Sequence, residues 1–250
     1  MSVAACAELV SRGDPDRFRA VLAAPAGARA QLLPLYAFNL EVARAPWVTQ
    51  EPLIAEMRLQ WWRDVVENAA SGAARAHEVA GPLHDLIRDF GLPVEVLDRL
   101  IAARRWDIHR EPHDGAEGLS AYLEDTGAGL MWLAARALGA PEAAEAAVRA
   151  YGWATAAAMY VRAVPELEAR GRQPLPERVG ARDLARKGLE KLAEARRARK
   201  VVPKGVAPAL LAGWQAEGLL RQAVGGRSSP ALPEAQKRWG LLWQALSGRW

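Results

Sequence analysis

His109 and His113 stand four residues apart, the spacing at which two imidazoles on one helix can share a metal ion. Pro112 falls between them and disrupts the helix that would align the rings, and no third ligand is evident. The pair therefore reads as polar residues flanking a loop. No GxSxG elbow presents a serine nucleophile and no GxxxxGK loop cradles a phosphate, so the usual signals of a hydrolase or nucleotidase are missing. The single cysteine, Cys6, excludes an intrachain disulfide and a thiolate zinc module, and fits a reducing compartment. The densest basic run, Arg196-Arg197-Ala198-Arg199-Lys200, suits anionic lipid or phosphate, although a solvated helix end carries the same pattern. Ten tryptophans stand against four tyrosines and three phenylalanines. Trp61, Trp62, Trp106, Trp132, Trp153, Trp214, Trp239 and Trp243 suit either the wall of a hydrocarbon cavity or an aromatic core, and the core is the simpler use.

The elements that would position such residues are all helical. The 250 residues are 51% hydrophobic and 25% charged, rich in Ala, Leu, Arg and Glu, and long enough for one large core, which excludes disordered and fibrous classes. A net charge of +4 with interspersed signs argues for solubility more than for a nucleic-acid footprint. No span reaches the roughly 20 uncharged residues of a membrane crossing, and the opening MSVAACAELVSRGD lacks a secretory pattern, so the cytoplasm is the expected location.

Asp14-Pro15 is a helix start, and Pro25 closes that helix. Ala28 to Arg44 is apolar on nearly every face and belongs in the middle of a bundle. Leu53, Met57, Trp61 and Val65, at intervals of four, predict an amphipathic helix with that face on the core. After an Ala/Gly/Ser loop, helices are expected over His77 to Phe90 and from Val96 to Ile108, separated by a Gly91-Leu92-Pro93 break. Leu119 to Leu138 predicts a helix in which Gly127 and Gly129 permit a kink or a close approach. Pro141 to Val164 is a second enclosed helix that Pro165 should end. Leu184 to Lys200 is expected to be exposed, and two further helices fill Pro208 to Val224 and Pro233 to Trp250. No internal repeat or boundary divides residues 1–250, which read as one domain.

The string RFRAVLAAPAGARAQLLPLYAFNLEVAR, followed by EMRLQWWRDVVENA, resembles the squalene/phytoene synthase family. The likeness continues through YLEDTGAGLMWLAARALG and VRAVPELEARGRQPLP, strongest from Asp14 to Pro176. It implies an all-α isoprenoid-synthase fold, a helical bundle around a central apolar cavity. In that family two Asp-rich motifs on facing helices hold magnesium against a prenyl diphosphate, neutralising the anion that ionisation releases. The register carries Tyr36, Asn39, Leu40 and Ala43 to the cavity from one central helix, and Tyr160 and Ala163 from the other. Trp62, Tyr122, Thr126 and Gly127 complete the expected wall.

The acids themselves are replaced. LYAF places the first aspartate pair at Ala43 and Arg44, with Glu41 the nearby acid, and VRAVPELEARGR places the second pair at Ala163 and Leu167, although Gly171 and Arg172 match. No metal site and no cofactor are therefore expected. Arg44, Arg162 and Arg172 become candidates for holding a phosphate without metal. The departures are most similar to a branch of the family that acts in respiratory complex I assembly, with Phe38, Asn39, Glu41, Met57, Arg58, Gln60 and Trp62 corresponding in type. The resemblance implies a non-catalytic protein that binds an isoprenoid or lipid, or a protein partner in complex I assembly. Peripheral contact with the inner membrane would run through Arg196, Arg197, Arg199 and Lys200. The alternative is an active prenyl transferase with magnesium on unusual acids, drawn from Glu41, Asp64, Asp107, Glu124 and Asp125.

Overall fold

The computed structural model describes residues 3–69, 72–109 and 111–250, so part of the expected Ala/Gly/Ser loop lies outside the described residues. Among the described residues the ordered elements are helical throughout. The chain begins with α1 (Val3–Gly13) and α2 (Pro15–Ala23), the latter started by Asp14, whose carboxylate accepts from the Arg17 amide at 2.9 Å, and by Pro15 in its first turn. The bundle's first central helix is α3 (Ala26–Arg44), buried on most sides as its composition requires. It is followed by α4 (Pro52–Asn68), α5 (Ala80–Phe90) and α6 (Val94–Ala103). Gly91, in the left-handed region at φ 57°, ends α5 at the expected break.

The helix expected to reach Ile108 stops at Ala103. Backbone bonding tightens there, Arg104 to Ile101 at 3.1 Å and Asp107 to Arg104 at 3.0 Å, before the short α7 (Trp106–His109). The Gly127 segment resolves into α8 (Gly115–Leu123), a π-helical turn Glu124–Ala128 and α9 (Gly129–Ala137). The second central helix, α10, spans Glu145–Ala169 and runs past Pro165. One missing amide bond does not outweigh the burial of Val161 and Val164 on the same element. The terminator is instead Gly171 (φ 73°), where the Arg172 amide reaches back to Leu167 at 3.0 Å.

Helix α11 (Ala181–Arg197) corrects another expectation. It is charged outside, but Leu184, Ala185, Gly188, Leu192 and Ala195 form a buried stripe against α10. The segment from Pro208 is broken into α12 (Ala207–Leu210), a 3-10 turn Leu211–Gly213 and α13 (Ala216–Val224), because Gly213 passes against Tyr151 and Thr155 of α10. The last helix is α14 (Glu234–Ser247). Among the described residues no helix is long and apolar enough to cross a membrane.

The amphipathic face of α4 is rotated from the expected one. Ala55, Leu59, Trp62, Val65 and Val66 are buried, while Leu53, Ile54 and Met57 face outward. The core selected the stripe containing Leu59 and Trp62, so of the four residues at intervals of four only Val65 is buried and Trp61 is half-buried.

Candidate functional site

Facing surfaces of α3, α8, the π turn and α10 enclose a cavity of about 280 Å³. Its size depends on a close crossing: Gly127 in the π turn lies against Ala156, and Gly152 of α10 lies against Ala128. The kink anticipated at Gly127 is therefore where α10 approaches. The Thr126 hydroxyl donates back to the Tyr122 carbonyl at 2.6 Å and fastens the wound turn. Leu123, Leu130, Met131 and Met159 supply an apolar wall.

The opposite side is polar. Arg17 lies over the Tyr36 ring at 5.1 Å, and burial lifts the Tyr36 phenol to about 12. Asn39 is buried on the next turn of α3. The tightening after α6 brings Arg104 beside Asp107, 3.5 Å apart and both turned inward. The Arg104 guanidinium donates to the Tyr122 hydroxyl at 2.8 Å, and that hydroxyl donates to Asp107 Oδ2 at 3.0 Å. Burial pushes the Asp107 carboxyl above its ordinary range, against the pull of Arg104 and Tyr122. Behind them, His113 stacks on Trp106 at 3.9 Å and contacts the Tyr160 hydroxyl at 2.9 Å, while Tyr160 donates to the Pro174 carbonyl at 2.7 Å. Among the described residues Asn39 Oδ1, Arg104 Nε and Trp106 Nε1 have no hydrogen-bond partner.

Of the residues expected at the cavity, the structure brings together Tyr36, Asn39, Tyr122, Thr126, Gly127, Tyr160 and Ala163. Three lie elsewhere. Leu40, turned about 100° from Asn39 around α3, packs on Gly13 of α1. Ala43 is half-buried and not part of the wall. Trp62 is held by Phe38, Trp61 and His77 beside a separate groove on α4.

None of the three candidate phosphate arginines lines the cavity. Arg44 is exposed on the α4 groove, and Arg162 pairs with Asp16 at 3.6 Å. Arg172 is buried and donates to the Trp106 and Asp107 carbonyls. Arg17 and Arg104 occupy the cavity instead. The signal for Arg104 was the Arg-x-x-Asp spacing to Asp107 beside Trp106, which pairs the charges only once the helix tightens.

The unusual acids do not converge. Glu124 pairs with Arg149 at 3.1 Å, Asp125 with Arg99 at 3.6 Å and Asp64 with Arg75 at 3.5 Å, while Glu41 faces the α4 groove. Among the described residues no cluster of His, Cys, Asp and Glu is arranged to hold a metal ion. His109 pairs with Glu56 at 3.1 Å, well apart from the stacked His113 in its role. Among the tryptophans, Trp106 is the one on the cavity, while Trp239 and Trp243 are exposed.

The chain matches the squalene/phytoene synthase family over residues 10–249. It is 28% identical over 172 residues to NADH dehydrogenase (ubiquinone) complex I, assembly factor 6, of Bos taurus. It is 32% identical over 185 residues to the homolog of that factor in Drosophila melanogaster. Each alignment covers 68% of this chain and 52% of the relative, so the chain spans about half the length of the curated relatives it matches. Among solved structures, a dehydrosqualene synthase in complex with ligand superposes with a TM-score of 0.81 at 13% identity, covering 98% of this chain and 95% of that one. Squalene synthase HpnC from Alicyclobacillus acidocaldarius gives 0.75 at 20% identity, covering 95% and 94%. These two likenesses show a common fold.

Proposed function

Since the chain belongs to the squalene/phytoene synthase family, we propose that it is a member that binds rather than condenses, serving as an assembly protein for respiratory complex I with an isoprenoid or lipid chain in its central cavity. The observation that carries this reading is the donor set around that cavity. The magnesium of the family's chemistry takes an octahedron of carboxylate, phosphate and water oxygens. Here the cavity offers one carboxylate, Asp107, already engaged by Tyr122 and Arg104, and two guanidiniums that repel a cation. Ala43, Arg44, Ala163 and Leu167 stand where the family's ligands would be. The residues present do not fit a magnesium cluster, and we assign the protein no cofactor.

What the lining does suit is a single apolar chain with a polar end. Its volume lies at the lower edge of the roughly 300–1,000 Å³ usual for ligand sites, enough for one hydrocarbon and tight for two. The names of the relatives support an assembly role with a protein partner. The location we propose is the cytoplasm, at the periphery of the inner membrane.

The test is incubation of purified protein with farnesyl or geranylgeranyl diphosphate and magnesium. No diphosphate release above buffer is expected. Turnover that an Arg104→Ala or Tyr122→Phe substitution abolishes would overturn the reading.

A further inference from the structure

Helix α14 turns its most apolar stripe away from the protein. Trp239, Leu242, Trp243 and Leu246 follow one another at helical spacing, and they are 71%, 46%, 66% and 77% exposed. The opposite side is what docks. Gln244 donates to the Leu210 carbonyl at 3.2 Å and to the Tyr151 hydroxyl at 3.4 Å, while Leu241 and Ala245 pack on the core. The helix is thus fixed to the body by one side and presents two indoles and two leucines on the other.

Charge surrounds that stripe asymmetrically. Arg238 is exposed along its edge. At the far end, Leu246 also lines a groove with Arg199, Lys200, Lys204 and Arg249, and no carboxylate side chain lines it. On the same loop Val201 is 44% exposed between the basic residues. The carboxylate of α14, Glu234, sits at its opposite end and is paired with Lys237 at 2.9 Å and Arg19 at 3.4 Å. The basic run read from the sequence divides here. Arg196 is bound to Glu217 at 2.8 Å, and Arg197 lies on a different groove with Glu217 and Arg221. Only Arg199 and Lys200 join the α14 face.

We propose that this face is a membrane-docking surface for an anionic bilayer, with Trp239, Leu242, Trp243 and Leu246 entering the interface and Arg199, Lys200, Lys204, Arg238 and Arg249 meeting lipid phosphates. Tryptophan and leucine on one side with cations at the margin match the depth profile of a lipid surface: apolar core, amphipathic boundary, negative headgroups. The other exposed apolar stripe, on α4, has mixed charge at its margin, with Glu41 beside Arg44 and Arg58 in its groove and Glu51 preceding the helix, whereas the charged side chains lining the α14 groove are all cationic. The α14 face works whatever the central cavity holds.

The experiment is co-sedimentation of the whole protein with phosphatidylcholine vesicles, with and without phosphatidylglycerol. Binding is expected only with the anionic lipid, weakening as salt is raised. Trp239→Ser/Trp243→Ser should lose more than about ten-fold in vesicle affinity, and Lys200→Ala and Lys204→Ala roughly five-fold each. Leu53→Ser/Met57→Ser on α4 should bind as wild type does. All these positions are exposed, and unchanged circular dichroism melts would establish that the variants fold. Absence of sedimentation with either vesicle, or equal binding by the tryptophan variant, would overturn the proposal. So would a change from dimer to monomer in that variant without vesicle binding, which would assign the face to a second copy of the chain.

Discussion

The imidazole of His113 is stacked on Trp106 and bonded to Tyr160, and burial lowers its pKa from the ordinary 6.5 to about 4. An unfolded chain takes up that proton near pH 6.5, whereas the folded chain resists it down to about 4. The stability contributed by neutral His113 is therefore complete above pH 6.5 and is lost as pH falls toward 4. Allowing for partial solvent screening, the loss is about 2 kcal/mol. The melting temperature of the wild type should fall more steeply over that window than that of His113→Gln, and parallel curves would show that the ring is not held neutral. The sequence displayed this histidine only through its spacing from His109. Its real partner lies 47 residues away on α10, a relation that no local pattern carries. Asp107 is similar. It looked like one acid among several, and its significance depends on the tightened turn that delivers Arg104 to it.

Between elements, backbone proximity explains what periodicity could and could not show. Gly127 was legible as a point of close approach because a glycine inside an apolar helix has a cost that something must offset. A Cβ built there would sit 2.2 Å from the Ala156 Cβ, so Gly127→Ala should destabilise by about 2 kcal/mol in urea denaturation, overpacking outweighing the gain in helix propensity. Gly27, near the start of α3, has open space around it, and Gly27→Ala should instead gain about half a kcal/mol. Equal effects at the two sites would contradict the crossing. Pro165 was misleading, since a proline's local penalty is small beside the burial of a long central helix. On α4 the apolar residues occupy too much of the circumference for a moment to choose a face. Leu59→Ala should cost about 3 kcal/mol, and Leu53→Ala less than about 0.5 kcal/mol, because Leu59 is 1% and Leu53 71% exposed.

For the molecule as a whole, the all-α architecture was readable from composition and from segments spread over most of the chain, whereas cavity volume was not, because it is set by side chains that meet only after the helices pack. That volume decides how the protein should answer to ligands. A single-chain isoprenoid or lipid that enters the apolar wall binds the folded state alone, so at a hundred times its dissociation constant it stabilises by about 2.7 kcal/mol. For a domain of this length that is a rise of roughly 5–10 °C in melting temperature. Magnesium should add nothing to whatever rise inorganic diphosphate gives alone, since Arg17 and Arg104 attract the anion but repel the cation and the one cavity carboxylate is already bonded. Ala163 lines the cavity without filling it, and Ala163→Phe would occupy the space the chain needs. The variant should melt normally without ligand and lose the ligand-induced shift. A shift that survives in Ala163→Phe would place the lipid outside the cavity, and a diphosphate shift that requires magnesium would restore the metal-dependent chemistry that the residues on α3 and α10 argue against.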